Sequence, residues 1–181
     1  MRVIGIDPGP EESGYVIWDG ERILEFGNAR NEVLAVALDN LTYPFPPDGD
    51  RLFINEPEEC AIEQIRGFGV MASDKLFDTC MWTGRFLHAF GQHRTHWVPR
   101  KTAAAHICGV GGISKDQFVR EALIARFGGK ELAVGIKKQP GPLYGISGHL
   151  WAALAVAITY YDQATSAQVP SGSDPLKPAT A

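Results

Sequence analysis

The chain opens on an apolar run that stops at a carboxylate. Val3-Ile4-Gly5-Ile6 is short and β-branched, which predicts a buried strand over residues 2–6. Asp7-Pro8-Gly9 ends it, because proline fixes φ and glycine accepts positive φ. Tyr15-Val16-Ile17-Trp18 returns after Gly14, and Asp19-Gly20 is a hairpin signal leading into Arg22 to Phe26. The pattern is a three-stranded antiparallel meander with Asp7 at the end of its first strand. Asp-Pro-Gly also starts ordinary turns, so Asp7 taken alone is either a turn former or a functional carboxylate.

A second carboxylate stands out further on. Cys60 to Ile65 reads as another buried strand, and Glu63 lies inside it. A buried carboxylate needs a cation, a metal or solvent access. Either Glu63 points outward from an edge strand, or it shares a metal with Asp7. Between these strands, Asn31 to Leu41 reads as an amphipathic helix with Val33, Leu34, Val36, Ala37 and Leu41 on its apolar side. A proline-rich loop follows from Tyr43 to Asp50.

Residues 73–90 form a helical pattern whose apolar residues, from Leu76 to Phe90, cover more than one stripe. Such a helix is buried on two sides, either within one core or against a second subunit. Thr95 to Val98 reads as a last short strand, and Pro99-Arg100-Lys101 opens a helical segment to about Ile107. Gly109 to Lys115 is glycine-rich, either a backbone approach to phosphate or a simple connector, with Ser114 as N-cap of a helix to about Phe127. Residues 128–146 read as an ordered, irregular loop. Ser147 caps a final helix from Gly148, small and apolar on nearly every face, with His149 as its interior-facing candidate for chemistry. From Ala164 the composition turns to Ala, Ser, Thr, Pro and Gly, which predicts a domain over 1–163 and a disordered tail over 164–181.

Charge is unevenly spread. Residues 1–60 hold four basic against thirteen acidic side chains, whereas residues 85–138 hold ten basic against three acidic. A formal net charge of −4 therefore still allows one basic face. No apolar run is long enough to span a membrane, and the N-terminus enters a strand without a signal-peptide pattern. Cys60, Cys80 and Cys108 form no disulfide framework and no metal spacing, which suits a reducing cytoplasm.

The order strand-Asp, hairpin, helix, strand-Glu, long helix, basic loop, final helix resembles the RNase H-like fold, and more narrowly the RuvC-type Holliday junction resolvases. Gly5-Ile6-Asp7-Pro8-Gly9 with Ser13-Gly14-Tyr15, and Ala61-Ile62-Glu63-Gln64-Ile65, carry the resemblance. Lys101, Gly109, Lys115-Asp116-Gln117 and Ala153 to Ile158 extend it over about residues 1–162. It implies a five-stranded mixed sheet flanked by helices, and a homodimeric, metal-dependent endonuclease for four-way or other branched DNA. It implies two Mg²⁺ or Mn²⁺ ions per site, with Asp7 bridging them, Glu63 and His149 as further ligands, and Lys115 and Lys101 at the DNA backbone. Arg66, Phe68 and Arg100 join Lys101 and Lys115 as candidate DNA contacts.

Two departures from the family pattern leave other readings open. The family places two acidic residues, or a His and an Asp, three apart at the start of the last helix; this chain has His149 and Ala152. Where many relatives carry an aromatic wedge, it has Arg66, with Phe68 two residues on. The missing carboxylate also fits a branched-DNA-binding protein with impaired catalysis. An actin-like phosphotransferase shares the core but needs a second lobe, for which this chain is too short.

Overall fold

The computed structural model describes residues 1–42, 53, 55–65, 73–109 and 115–167. Its centre is β1 (Val3–Asp7), the middle strand of a five-stranded sheet. β1 pairs antiparallel with β2 (Glu12–Trp18), which pairs antiparallel with β3 (Ile23–Arg30). On its other edge β1 pairs parallel with β4 (Glu59–Gln64), and β4 pairs parallel with β5 (Thr95–Pro99). The sheet is therefore mixed, in the order β3-β2-β1-β4-β5, as the resemblance implies. The meander strands outrun their apolar cores. β3 reaches Arg30, opposite Glu12, because an edge strand covered on one side takes polar residues at every second position.

Strand periodicity splits the core in two. Ile4, Ile6, Cys60 and Ile62 face α1 (Asn31–Thr42) and α2 (Asp74–Phe90), packing with Leu34, Leu38, Trp82, Phe86 and Phe90. Val3, Ala61 and Val98 face the opposite layer. That layer is α3 (Arg100–Cys108), α4 (Asp116–Arg126) and the long α6 (Leu150–Ala167). The α1 stripe is narrower than its sequence implies. Leu34 and Leu38 are fully buried, whereas Val33 and Val36 are exposed. In α2, capped by Ser73, Thr79, Trp82, Thr83, Phe86, Ala89 and Phe90 are buried, while Phe77 and Met81 face outward. The wide apolar arc of α2 thus resolves into a core face and an exposed apolar face.

α6 approaches β1 more closely than side chains normally permit. A Cβ on Gly5 would stand 2.1 Å from the Ala153 carbonyl oxygen and 2.8 Å from the Ala157 Cβ. Glycine in the strand and alanines in the helix let the two backbones meet. The helix starts at Leu150, two residues later than its sequence implies, because Gly148 takes a φ of +50°. It also runs on to Ala167, past the composition change at Ala164. Asp162 accepts from His106 on α3 and Arg126 on α4, and the Thr165 hydroxyl donates to the Tyr161 carbonyl. Those bonds keep a Ser/Thr/Ala stretch helical.

Residues 128–146 are more regular than their composition implies. They hold α5 (Lys130–Ala133) and a ribbon of β6 (Gly135–Ile136) with β7 (Gln139–Pro140). Among the described residues, no helix is long and apolar enough to cross a membrane. The proline-rich loop after Thr42 and Ser114 lie outside the described residues; the N-cap position of α4 falls at Lys115.

Candidate active site

Register brings the two carboxylates together. Gly5 pairs with Ala61 and Ile6 with Ile62, so Asp7 and Glu63 follow side by side at the ends of parallel neighbours. By the period of two, both lie on the α6 face of the sheet with Val3 and Ala61. The C-terminal edge of parallel strands is where open α/β sheets bind ligands.

A closed hydrogen-bond ring fixes the turn after Asp7. The Gly9 N–H donates to Ser13 Oγ (3.2 Å), the Ser13 hydroxyl to Asn31 Oδ1 (2.6 Å), and the Asn31 amide to the Gly9 carbonyl (3.0 Å). Ser13 and Asn31 are buried, so each bond holds about 1 kcal/mol and costs more if left unmade. From sequence Asn31 reads only as a helix start; a polar residue at the junction of a strand and a helix is the signal of its second role.

His149 reaches the site from the turn before α6. A Cβ on Gly14 would stand 3.0 Å from the His149 Cβ, so glycine at that position makes room for it. His149 Nδ1 lies 2.7 Å from Asp7 Oδ2. With Asp7 ionised and the imidazole neutral, Nδ1–H donates and the Nε2 lone pair is left for another partner. The side chain is 66% exposed, so His149 faces the cleft and not the protein interior as its sequence position implied.

Glu63 is buried, and its counter-charge is Arg100. Arg100 Nη1 lies 3.5 Å from Glu63 Oε1, and Nη2 pairs with Asp116. Burial pushes the Glu63 carboxyl up to about 7; the Asp7 charge adds to the rise and Arg100 opposes it. Burial also raises Asp7 above its ordinary range, against the His149 hydrogen bond and the charges of His149 and Arg100. The strand-edge alternative for Glu63 does not hold: β4 lies between β1 and β5. Arg100, read from sequence as a DNA contact, sits within the carboxylate cluster. Val98 faces this layer and Arg100 follows at the same parity, which was the available signal.

These groups line a cleft of about 1260 Å³, larger than the usual pocket for a drug-sized ligand. Lys101, Arg120 and Lys130 line it too, as do Asp116, Gln117, Glu121, Trp151 and Ala152. Arg120 lies over the Trp151 ring, 5.5 Å from its centroid. His149 and Ala152 both line the cleft, as their three-residue spacing implies. Lys115 is exposed at the start of α4 and is not part of the cleft lining; its neighbours Asp116 and Gln117 are. Arg66 and Phe68 lie outside the described residues.

Asp7 and Glu63 offer hard oxygens and His149 an imidazole nitrogen, so the donor set suits a Mg²⁺ or Mn²⁺ ion by its chemistry. Among the described residues, no three His, Cys, Asp or Glu side chains already stand together as a metal cage. Glu63 leans instead on Arg100.

No family model and no curated protein sequence matches the chain. Solved structures are similar to it, among them two of one protein. One is Thermus thermophilus RuvC, at 18% identity and a TM-score of 0.61, over 92% of this chain and 97% of that one. The other is T. thermophilus RuvC in complex with a Holliday junction substrate, at 18% identity and a TM-score of 0.58, over 92% and 96%. At that identity the likeness concerns the fold, and the chain is an α/β protein with the RNase H-like five-stranded mixed sheet flanked by helices.

Proposed function

We propose that this chain is a metal-dependent endonuclease for branched DNA, four-way junctions above all, working as a homodimer. The observation that carries the reading is the floor of the cleft: two carboxylates at adjacent strand ends, Glu63 buried and Asp7 partly buried and bonded to His149, below basic side chains. The junction-bound structural neighbour supports the same substrate class.

Hydrolysis bonds a water oxygen to phosphorus, breaks one ester P–O bond and delivers a proton to the departing sugar oxygen. Asp7, Glu63 and His149 would hold divalent metal, which would supply an activated water and charge neutralisation at the phosphate. Asp7 orients the imidazole through Nδ1, so that Nε2 points its lone pair elsewhere. Arg100 and Lys101 draw the phosphate towards the carboxylates, and Lys115 meets the DNA backbone beyond the cleft. Phe77 and Met81 on α2, with Val33 and Val36 on α1, supply the exposed apolar face for a second subunit. Two sites related by a dimer axis match a substrate with two-fold symmetry.

Ala152 favours a second reading, a junction-binding protein with impaired catalysis. Gel assays with matched four-way, three-way and linear DNA separate the two, in Mg²⁺ or Mn²⁺. The nuclease reading expects cutting of branched DNA that Asp7→Asn abolishes while binding persists. Binding without cutting in either metal would favour the second.

A further inference from the structure

The cleft lacks a carboxylate at Ala152 and holds an arginine, Arg100, between two of the carboxylates it has. Arg100 begins α3 directly after β5, and its guanidinium bridges Glu63 and Asp116. Asp116 is a cleft carboxylate from another helix, and its charge reaches both Asp7 and Glu63. With all groups ionised, the three carboxylates and the one guanidinium of this cluster carry two net negative charges. That is the charge of one divalent ion. A second ion would leave the cluster with a net charge of two positive and would compete with Arg100 for Glu63.

We propose that Arg100 holds the place of the second cation, so that each protomer binds a single divalent ion, at the Asp7 and His149 end of the site. The inference rests on the nuclease reading above and deepens it. Arg100 is suited to the position. Its charge is permanent, its planar fork reaches two carboxylates at once, and half-exposure leaves it open to a phosphate oxygen. A lysine could not serve both carboxylates in the same way. An ion at a divalent site exchanges with solvent, whereas a guanidinium remains. The site therefore keeps one fixed and one exchangeable positive charge.

The test is Mn²⁺ stoichiometry by electron paramagnetic resonance and calorimetry on the full chain. Measurements are made with and without a four-way junction whose phosphodiesters are replaced by non-hydrolysable analogues. Wild type is expected to bind one Mn²⁺ per protomer with the spectrum of an isolated ion. Arg100→Ala is expected to bind two, with spin coupling between them, and Arg100→Lys to fall at one with weaker junction binding. Arg100→Gln is a second neutral variant should Arg100→Ala fold poorly. Two coupled ions in wild type, with junction cleavage intact, would overturn the role of Arg100 and leave the nuclease reading standing. A stoichiometry of one in both neutral variants would overturn it as well. No ion bound and no cleavage would overturn the nuclease reading itself, and this inference with it.

Discussion

Glu63→Gln should stabilise the metal-free protein, by an amount that grows as pH rises from about 4.5 to 7 and then levels off. Glu63 is nearly buried, and its carboxyl is raised from an ordinary 4.5 to about 7, first by burial and then by the charge of Asp7. Between those values the native state holds a proton that the unfolded chain has released. Stability contributed by this group therefore falls as pH rises through the window. At 1.36 kcal/mol per pH unit, the full penalty above pH 7 is about 3 kcal/mol. Glutamine keeps the shape and cannot ionise, so its advantage should be near zero at pH 4.5 and reach about 3 kcal/mol at pH 8. For a domain of this size that is on the order of 6–12 °C in Tm. The Arg100 contact it loses is half-exposed and already counted in the Glu63 value. The assay is urea unfolding at pH 5 and pH 8 with EDTA present. Equal stability at pH 8, or the same gain at both pH values, would refute the claim that Glu63 is a strained buried charge.

Three further outcomes follow from the geometry. Gly5→Ala should cost about 3 kcal/mol or more, because its Cβ meets the Ala153 backbone and cannot be absorbed by a rotamer change; calorimetry that finds less than 1 kcal/mol would mean α6 can slide. Lys101→Ala should weaken junction binding and lower the salt slope by about 0.9, read from titrations at several salt concentrations; an unchanged slope would remove Lys101 from the DNA path. Phe77→Glu with Met81→Glu should yield a monomer that still folds, since both side chains are exposed; light scattering showing an unchanged oligomer would place the interface elsewhere.

The sheet was legible because its signals are local. The β-branched run of residues 3–6, the Asp19-Gly20 turn and the apolar strand around Glu63 each announce themselves within a few residues. Asp7 and Glu63 were legible as anomalies, carboxylates at or in buried strands. Arg100 was not, because its role depends on a parity carried from β5 into the first turn of α3, and on Asp116 arriving from a different helix. The orientation of His149 was misread for a similar reason. Gly148 breaks the helical phase just before it, so a helix drawn from Gly148 points the imidazole the wrong way. The Ser13–Asn31 ring joins residues eighteen positions apart, and nothing in either neighbourhood signals the other.

The seam where Gly5 meets Ala153 and Ala157 divides the molecule by how freely it can change. Any larger side chain there meets backbone, so drift along β1 and the adjoining turns of α6 is closed off. The opposite wall of the cleft, built by α4 and α5, is exposed over most of its length; the buried Leu123 and Ala133 anchor it in the core shared with α6, together with the Asp162–Arg126 ion pair and Arg120 over the Trp151 ring. The outward positions of that wall can exchange side chains without moving Asp7. On the nuclease reading proposed above, a lineage built on this plan can therefore alter which DNA shape it grips while the carboxylates stay in register, because the two tasks are borne by surfaces with different tolerance for substitution.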